Sequence, residues 1–243
     1  MRLLNTVSLM LREFVDDRTP AYAILSHTWG DEEVSLQEMQ APTTDTLKKF
    51  GFKKIIEFCI TARRRGFEWG WIDTCCIDKT SSGELSEAIN SMYRWYRESN
   101  ACFVYLSDVH SYPLGQDLTE FMSSRWFTRG WTLQELLAPT VVRFFNSTWC
   151  GLGSKQKLVD AISRATGIET DGMSWAAGRK TSRKEDMAYC LLGLLDVNMP
   201  LLYGEGTKAF RRLQEQIINS VYDHTILAWG STLTDTATAI NTS

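Results

Sequence analysis

Histidine is scarce in this chain of 243 residues, with 3 in all, and proline is scarcer than usual, with 5. So few imidazoles leave little nitrogen for a metal centre. The 6 cysteines, Cys59, Cys75, Cys76, Cys102, Cys150 and Cys190, never take the C-x-x-C spacing of structural zinc sites. No metal site is therefore expected, and the thiols are expected to be buried and reduced, as in an intracellular protein. No apolar run reaches the roughly 18–20 residues that span a bilayer, and the first residues lack the cleavage pattern of a secretory signal. Positive charge is not in excess either. The net charge of −3 argues against a nucleic-acid partner, although a phosphate-bearing small molecule needs only local donors. Missing as well are G-x-G-x-x-G, the P-loop, H-E-x-x-H and G-x-S-x-G, which removes the common dinucleotide, NTPase, zincin and hydrolase signatures.

What is present is an aromatic-rich globular composition: 9 Trp, 11 Phe and 8 Tyr, with 44% hydrophobic and 23% charged residues. Short apolar runs at Ala21–Leu25, Trp69–Ile72, Ala101–Leu106 and Val141–Phe145 read as strands buried on both faces. Helical spacing separates them over Thr46–Arg65 and Glu84–Ser99, and again in the segment from Ser124 to Pro139. Met1–Asp17 reads as a strand and a loop. Val109–Ser123 reads as a loop, as does Met173–Thr181 with Trp175. The alternation predicts an α/β fold, a doubly wound parallel sheet with additional C-terminal helices. We divide the chain into an α/β core over 1–150, a mainly helical extension over 151–230 and a polar tail or linker over 231–243.

Polar residues follow each strand at what should be one edge of the sheet, where open α/β sheets bind ligands. The first group is Ser26, His27, Trp29 and Gly30. The second is Asp73, Cys76 and Asp78. The third lies in the helix-forming segment, with Arg129, Trp131 and Glu135. Trp131 and Glu135 are four apart and share a helix face, which sets a carboxylate beside aromatic surface where desolvation can tune its pKa. Each residue has a plainer reading. His27 with Cys75 or Cys76 makes either a nucleophile pair or a loop residue beside inert thiols. Asp73 and Asp78 bind ribose hydroxyls or cap turns. Arg129 meets a phosphate or pairs with Glu135. Gly204-Glu205-Gly206 reads as a turn at a helix start.

Four ordered motifs resemble the fungal heterokaryon-incompatibility (HET) domain: SHTWG at 26–30, WIDTCCIDK at 71–79, ELSEAINSMYRWY at 84–96 and SRWFTRGWTLQELLAP at 124–139. The later stretch SWAAGRKTSRKEDMAYCLLGLLDVNMPLLYGEG resembles the N-terminal module of large NACHT and β-propeller receptors. The resemblance implies a cytoplasmic cell-death effector of self/non-self recognition, active on oligomerisation of a fused NACHT-type receptor. That family is distantly similar to TIR domains, flavodoxin-like modules of which many cleave NAD⁺. Their catalytic glutamate often stands in W-x-x-x-E, matched here by Trp131 to Glu135. The implied activity is NAD⁺ hydrolysis at the nicotinamide glycosidic bond, with Glu135 catalytic. Ser26, His27, Trp29, Gly30, Asp73, Cys76, Asp78, Arg129 and Trp131 would line the substrate, and NAD⁺ would be a substrate, not a cofactor. The alternatives are a non-enzymatic homotypic interaction module and a cysteine-dependent hydrolase.

Overall fold

The computed structural model describes residues 1–15, 18–111, 118–167 and 179–220. Seven strands form one sheet in the order β2-β1-β4-β3-β5-β6-β7. Its centre is the four apolar runs: β3 (Tyr22–His27), β4 (Trp69–Trp71), β5 (Ala101–Tyr105) and β6 (Val142–Phe145). These four are mutually parallel. In chain order they lie second-first-third-fourth, the arrangement of a doubly wound sheet whose direction of winding reverses between β3 and β5.

The edges differ from the purely parallel expectation. Met1–Asp17 supplies a hairpin, β1 (Arg2–Asn5) and β2 (Leu11–Glu13), which joins β4 antiparallel. The Asn5 side chain accepts from the Val7 and Ser8 amides and closes the turn, a local geometry that apolar spacing does not reveal. At the other edge β7 (Gly151–Ser154) pairs antiparallel with β6, so the sheet runs past residue 150.

Helices cover both faces. The Thr46–Arg65 pattern is two helices, α2 (Thr44–Lys48) and α3 (Phe50–Arg63), broken at Lys49, whose backbone is extended. The break arises because Glu32 takes over the bonds of the new helix start: its carboxylate accepts from the Phe50 amide and its carbonyl from the Gly51 amide, both at 3.0 Å. A Cβ on Gly51 would lie 2.3 Å from the Glu32 carbonyl oxygen, so the loop after β3 seats on α3 only because residue 51 has no side chain. The same loop carries α1 (Leu36–Gln40), started by a Ser35/Glu38 capping box.

On the other face α5 (Ser82–Glu98) follows α4 (Asp73–Cys76), a single turn at the end of β4. The segment 109–123, read as a loop, contains the short helix α6 (Thr119–Met122), and residues 112–117 of it lie outside the described residues. Ser124–Pro139 is not one helix. It makes a 3-10 turn over Arg125–Thr128, breaks, and resumes as α7 (Thr132–Leu137). The break is imposed by the chain at Lys180, which exchanges hydrogen bonds with Thr128 and Gly130. A Cβ on Gly130 would meet the Thr181 methyl at 2.6 Å.

Beyond β7 come α8 (Val159–Thr166), α9 (Asp186–Tyr189) and α10 (Lys208–Ser220). Tyr189, Leu192, Leu213 and Ile217 form a second buried cluster that reaches the sheet domain through Leu133 of α7. Gly204 and Gly206, at φ of +104° and +62°, turn their amides onto one oxygen of Glu185, each at 2.9 Å. The loop read as a turn therefore binds the Glu185 carboxylate, which comes from the start of α9. Residues 168–178, most of the expected Trp175 loop, and the expected tail 231–243 lie outside the described residues. No helix among the described residues is long and apolar enough to cross a membrane.

Gly51→Ala is expected to destabilise the fold by about 1–3 kcal/mol, since the new methyl strikes backbone and not a side chain that can rotate away. Urea denaturation of the variant against wild type measures it.

Candidate active site at the carboxyl edge of the sheet

β3 is buried along its whole length, and its side chains alternate between the two faces. Tyr22, Ile24 and Ser26 face α5 and α7, whereas Ala23, Leu25 and His27 face α3. The strand thus ends by sending two polar residues in opposite directions at the point where the winding reverses.

On the α7 face Ser26 meets Glu135. The Ser26 hydroxyl donates to Glu135 Oε2 at 2.5 Å and accepts from Trp126 Nε1 at 2.8 Å. The Tyr96 hydroxyl donates to the Leu25 carbonyl at 3.1 Å and also lies against the carboxylate. Glu135 is 7% exposed, flanked in α7 by buried Leu133, Gln134 and Leu136. Burial raises its pKa to about 8, in the same direction as the nearby negative Asp73. The Ser26 and Tyr96 hydroxyls and the positive Arg179 oppose that rise. At neutral pH this glutamate is held mainly as the neutral acid. It is a proton-bearing group at the switch point of the fold, as acids and bases of active sites commonly are.

On the α3 face His27 is buried, and neither ring nitrogen has a hydrogen-bond partner. Nε2 lies 3.8 Å from Glu33 Oε2 and 3.8 Å from Asp73 Oδ1. Burial, with Lys54 and Lys79 nearby, pushes the His27 pKa well below its ordinary value, so the imidazole is neutral. Lys54 is itself buried and pairs with Glu33 Oε1 at 2.5 Å. Trp29 is 52% exposed, donates to Asp73 Oδ2 at 2.7 Å and carries the Lys79 ammonium 3.7 Å above its ring. Gly30 donates its amide to Glu33 Oε1.

Of the residues singled out by sequence, the edge therefore gathers Ser26, His27, Trp29, Gly30, Asp73 and Glu135, divided between two faces. The others stand apart from both groups. Asp78 accepts from Thr80 and Gln37 and ties a turn to α1. Arg129 points to the Ser182 hydroxyl, at 2.9 Å, and does not reach Glu135. Trp131 is half-buried between the two hydrophobic clusters, leaving Trp29 as the aromatic surface open to solvent. Cys76 is buried and its sulfur accepts from the Ile72 amide at 3.4 Å. The neighbouring Cys75 thiol is pushed well up by its hydrogen bond with Cys76 and by burial, the opposite of an activated nucleophile.

Sequence reading missed Trp126, Glu33, Lys54 and Arg179. Arg179 donates to the Arg129 carbonyl at 2.8 Å and the Thr132 hydroxyl at 3.2 Å, and its positive charge opposes the rise of the Glu135 pKa. A signal existed for Lys54, which stands four residues before buried Phe58 and so shares its helix face.

Glu135 gives a stability test. Its folded pKa of about 8 lies above its ordinary 4.5, so the folded state holds a proton that the unfolded state has lost, and stability falls as pH rises through that window. At about 1.4 kcal/mol per pH unit the loss is at most about 5 kcal/mol. Glu135→Gln, which keeps the neutral shape, is expected to match wild type near pH 5 and to exceed it above pH 8 in thermal melts. A pH-independent difference would contradict the burial account.

Residues 22–116 match the family described as heterokaryon incompatibility protein (HET), and residues 208–242 match a domain of unknown function, DUF8212. An alignment 227 residues long, covering 85% of the chain, is 44% identical to vegetative incompatibility protein HET-E-1 of Podospora anserina and spans 17% of that protein's length. No solved structure matches the chain. The SHTWG and WIDTCCIDK motifs that build the α3 face lie within the matched family region, and the relative's alignment covers most of the rest: the chain belongs to the heterokaryon incompatibility (HET) domain family.

Proposed function

We propose that this HET domain hydrolyses NAD⁺ at the bond between nicotinamide and ribose and thereby acts as a cell-death effector in heterokaryon incompatibility. The observation that carries the reading is Glu135, a carboxyl group set by α7 at the switch point, with its pKa raised to about 8 by burial. Loss of neutral nicotinamide leaves a ribosyl cation of oxocarbenium character, so the reaction needs a carboxylate near the ribose and no general acid. The pyridinium of the substrate, a positive charge brought to a dry site, favours the ionised form of Glu135 when it is needed.

Ser26 and Trp126 fix the carboxylate's orientation, and Tyr96 would hold the charge once formed. The relative is a much longer protein of which this chain spans a small part. That length supports a domain carried by a receptor, of NACHT type by the resemblance, whose self-association would set the domain working.

Incubation of the purified chain with NAD⁺, alone and with a dimerising fusion, tests the reading by nicotinamide release. Glu135→Ala is expected to lower turnover by about 100-fold or more, and the wild-type rate is expected to climb with pH towards 8 as the carboxylate ionises. Equal turnover by wild type and variant would sink the assignment. Undiminished cell death with Glu135→Gln would favour the homotypic interaction module instead.

A further inference from the structure

The geometry points to a second ligand site on the α3 face, separate from Glu135: the convergence of His27, Glu33 and Asp73, which takes the vicinal hydroxyls of a ribonucleoside 5′-phosphate. Four polar atoms there are buried without a partner: His27 Nδ1 and Nε2, Glu33 Oε2 and Asp73 Oδ1. They are not disordered leftovers of a surface, because each carboxylate is fixed by its other oxygen. Glu33 Oε1 is held by Lys54 and the Gly30 amide, and Asp73 Oδ2 by Trp29. The two vacant oxygens flank Nε2 at equal distances of 3.8 Å, around a histidine side chain that is 1% exposed. Buried polar atoms are rarely left unpaired, and an orphaned group asks for an explanation of this kind.

Two acceptor oxygens on either side of a neutral imidazole call for a ligand that donates twice at close spacing. Vicinal ribose hydroxyls do so, and either can also bond the imidazole, whose two nitrogens include one donor and one acceptor. A metal ion is the poorer fit. Lys54, Lys79 and Arg125 place positive charge around the site, and among the described residues no group of three ligating side chains could hold one. Those same cations suit a phosphate at the rim. Arg125 is exposed and bonded to the Thr28 hydroxyl at 3.0 Å, and Lys79 sits over Trp29. Trp29 itself presents a ring to the base. The site lies at the reversal of winding, where doubly wound sheets receive nucleotides.

The inference stands apart from hydrolysis at Glu135, and the probe is AMP, which has no nicotinamide bond to cut. Titration calorimetry of the full chain is expected to show AMP binding, with the 2′,3′-dideoxy analogue weaker by tenfold or more and inorganic phosphate weaker still. Asp73→Asn and Glu33→Gln are expected to lose about tenfold, as hydrogen bonds to charged groups commonly carry. Trp29→Ala, at an exposed position that leaves the core intact, is expected to weaken AMP and spare phosphate. Glu135→Gln should leave AMP binding unchanged. Equal affinity for AMP and its dideoxy analogue would overturn the inference, as would loss of binding with Glu135→Gln alone. Absence of binding by any probe would overturn it too, and would leave the four atoms to buried water.

Discussion

A strand with no solvent on either side must hand its consecutive side chains to opposite faces of the sheet, and β3 does so with two polar residues at its final positions. The candidate site is arranged around that obligation. Ser26 cannot remain alone among Phe144, Trp126 and Tyr96, and its hydroxyl is answered by Glu135 and the Trp126 indole. His27 cannot remain alone above α3, and two carboxylates and a buried lysine converge on it. Asp73, at the end of the neighbouring strand, touches both sides: its Oδ1 lies 3.8 Å from His27 Nε2, and it adds to the rise of the Glu135 pKa. One edge of the sheet thus carries two chemically distinct niches, a proton-holding one and an acceptor-rich one, only a strand's thickness apart.

The sheet was legible in the sequence because its four central strands are short, apolar and unalternating, which is what burial on both faces requires. Its edges were not. β1 and β2 depend on an Asn5 turn, and β7 is a Gly-Leu-Gly-Ser run with little strand propensity that the partner strand β6 enforces. The same tertiary override split two predicted helices. Nothing local in Thr46–Arg65 announces that Glu32 will cap Phe50, and nothing in Ser124–Pro139 announces that Lys180 will pair beside Gly130.

The candidate residues fared according to how local their roles are. Ser26, His27, Trp29, Gly30 and Asp73 follow from strand ends, and strand ends can be read, whereas Glu135 was placed by its helix spacing from Trp131 and reaches the edge from within α7. Trp131 and Arg129 were judged by helix spacing in a segment that is not one continuous helix, and each turns towards the C-terminal part of the chain. Arg179 could not have been paired with Glu135 from sequence, since the two are joined only by the long return of the chain across α7. The matched family region, residues 22–116, contains the His27 face and ends before Glu135. The two faces of the edge are therefore tied to the family by different parts of the comparison, the first by the family itself and the second by the longer alignment with the vegetative incompatibility protein.

The splice between Glu32 and the start of α3 bears on how the His27 niche is reached. The loop that roofs this histidine supplies both acceptors for the first amides of α3, so it cannot swing outward by bending alone. It either stays seated or leaves with the first helical turn unwound behind it. Release of this loop therefore costs the first bonds of α3 as well, which ties its movement to the fraying of that helix end.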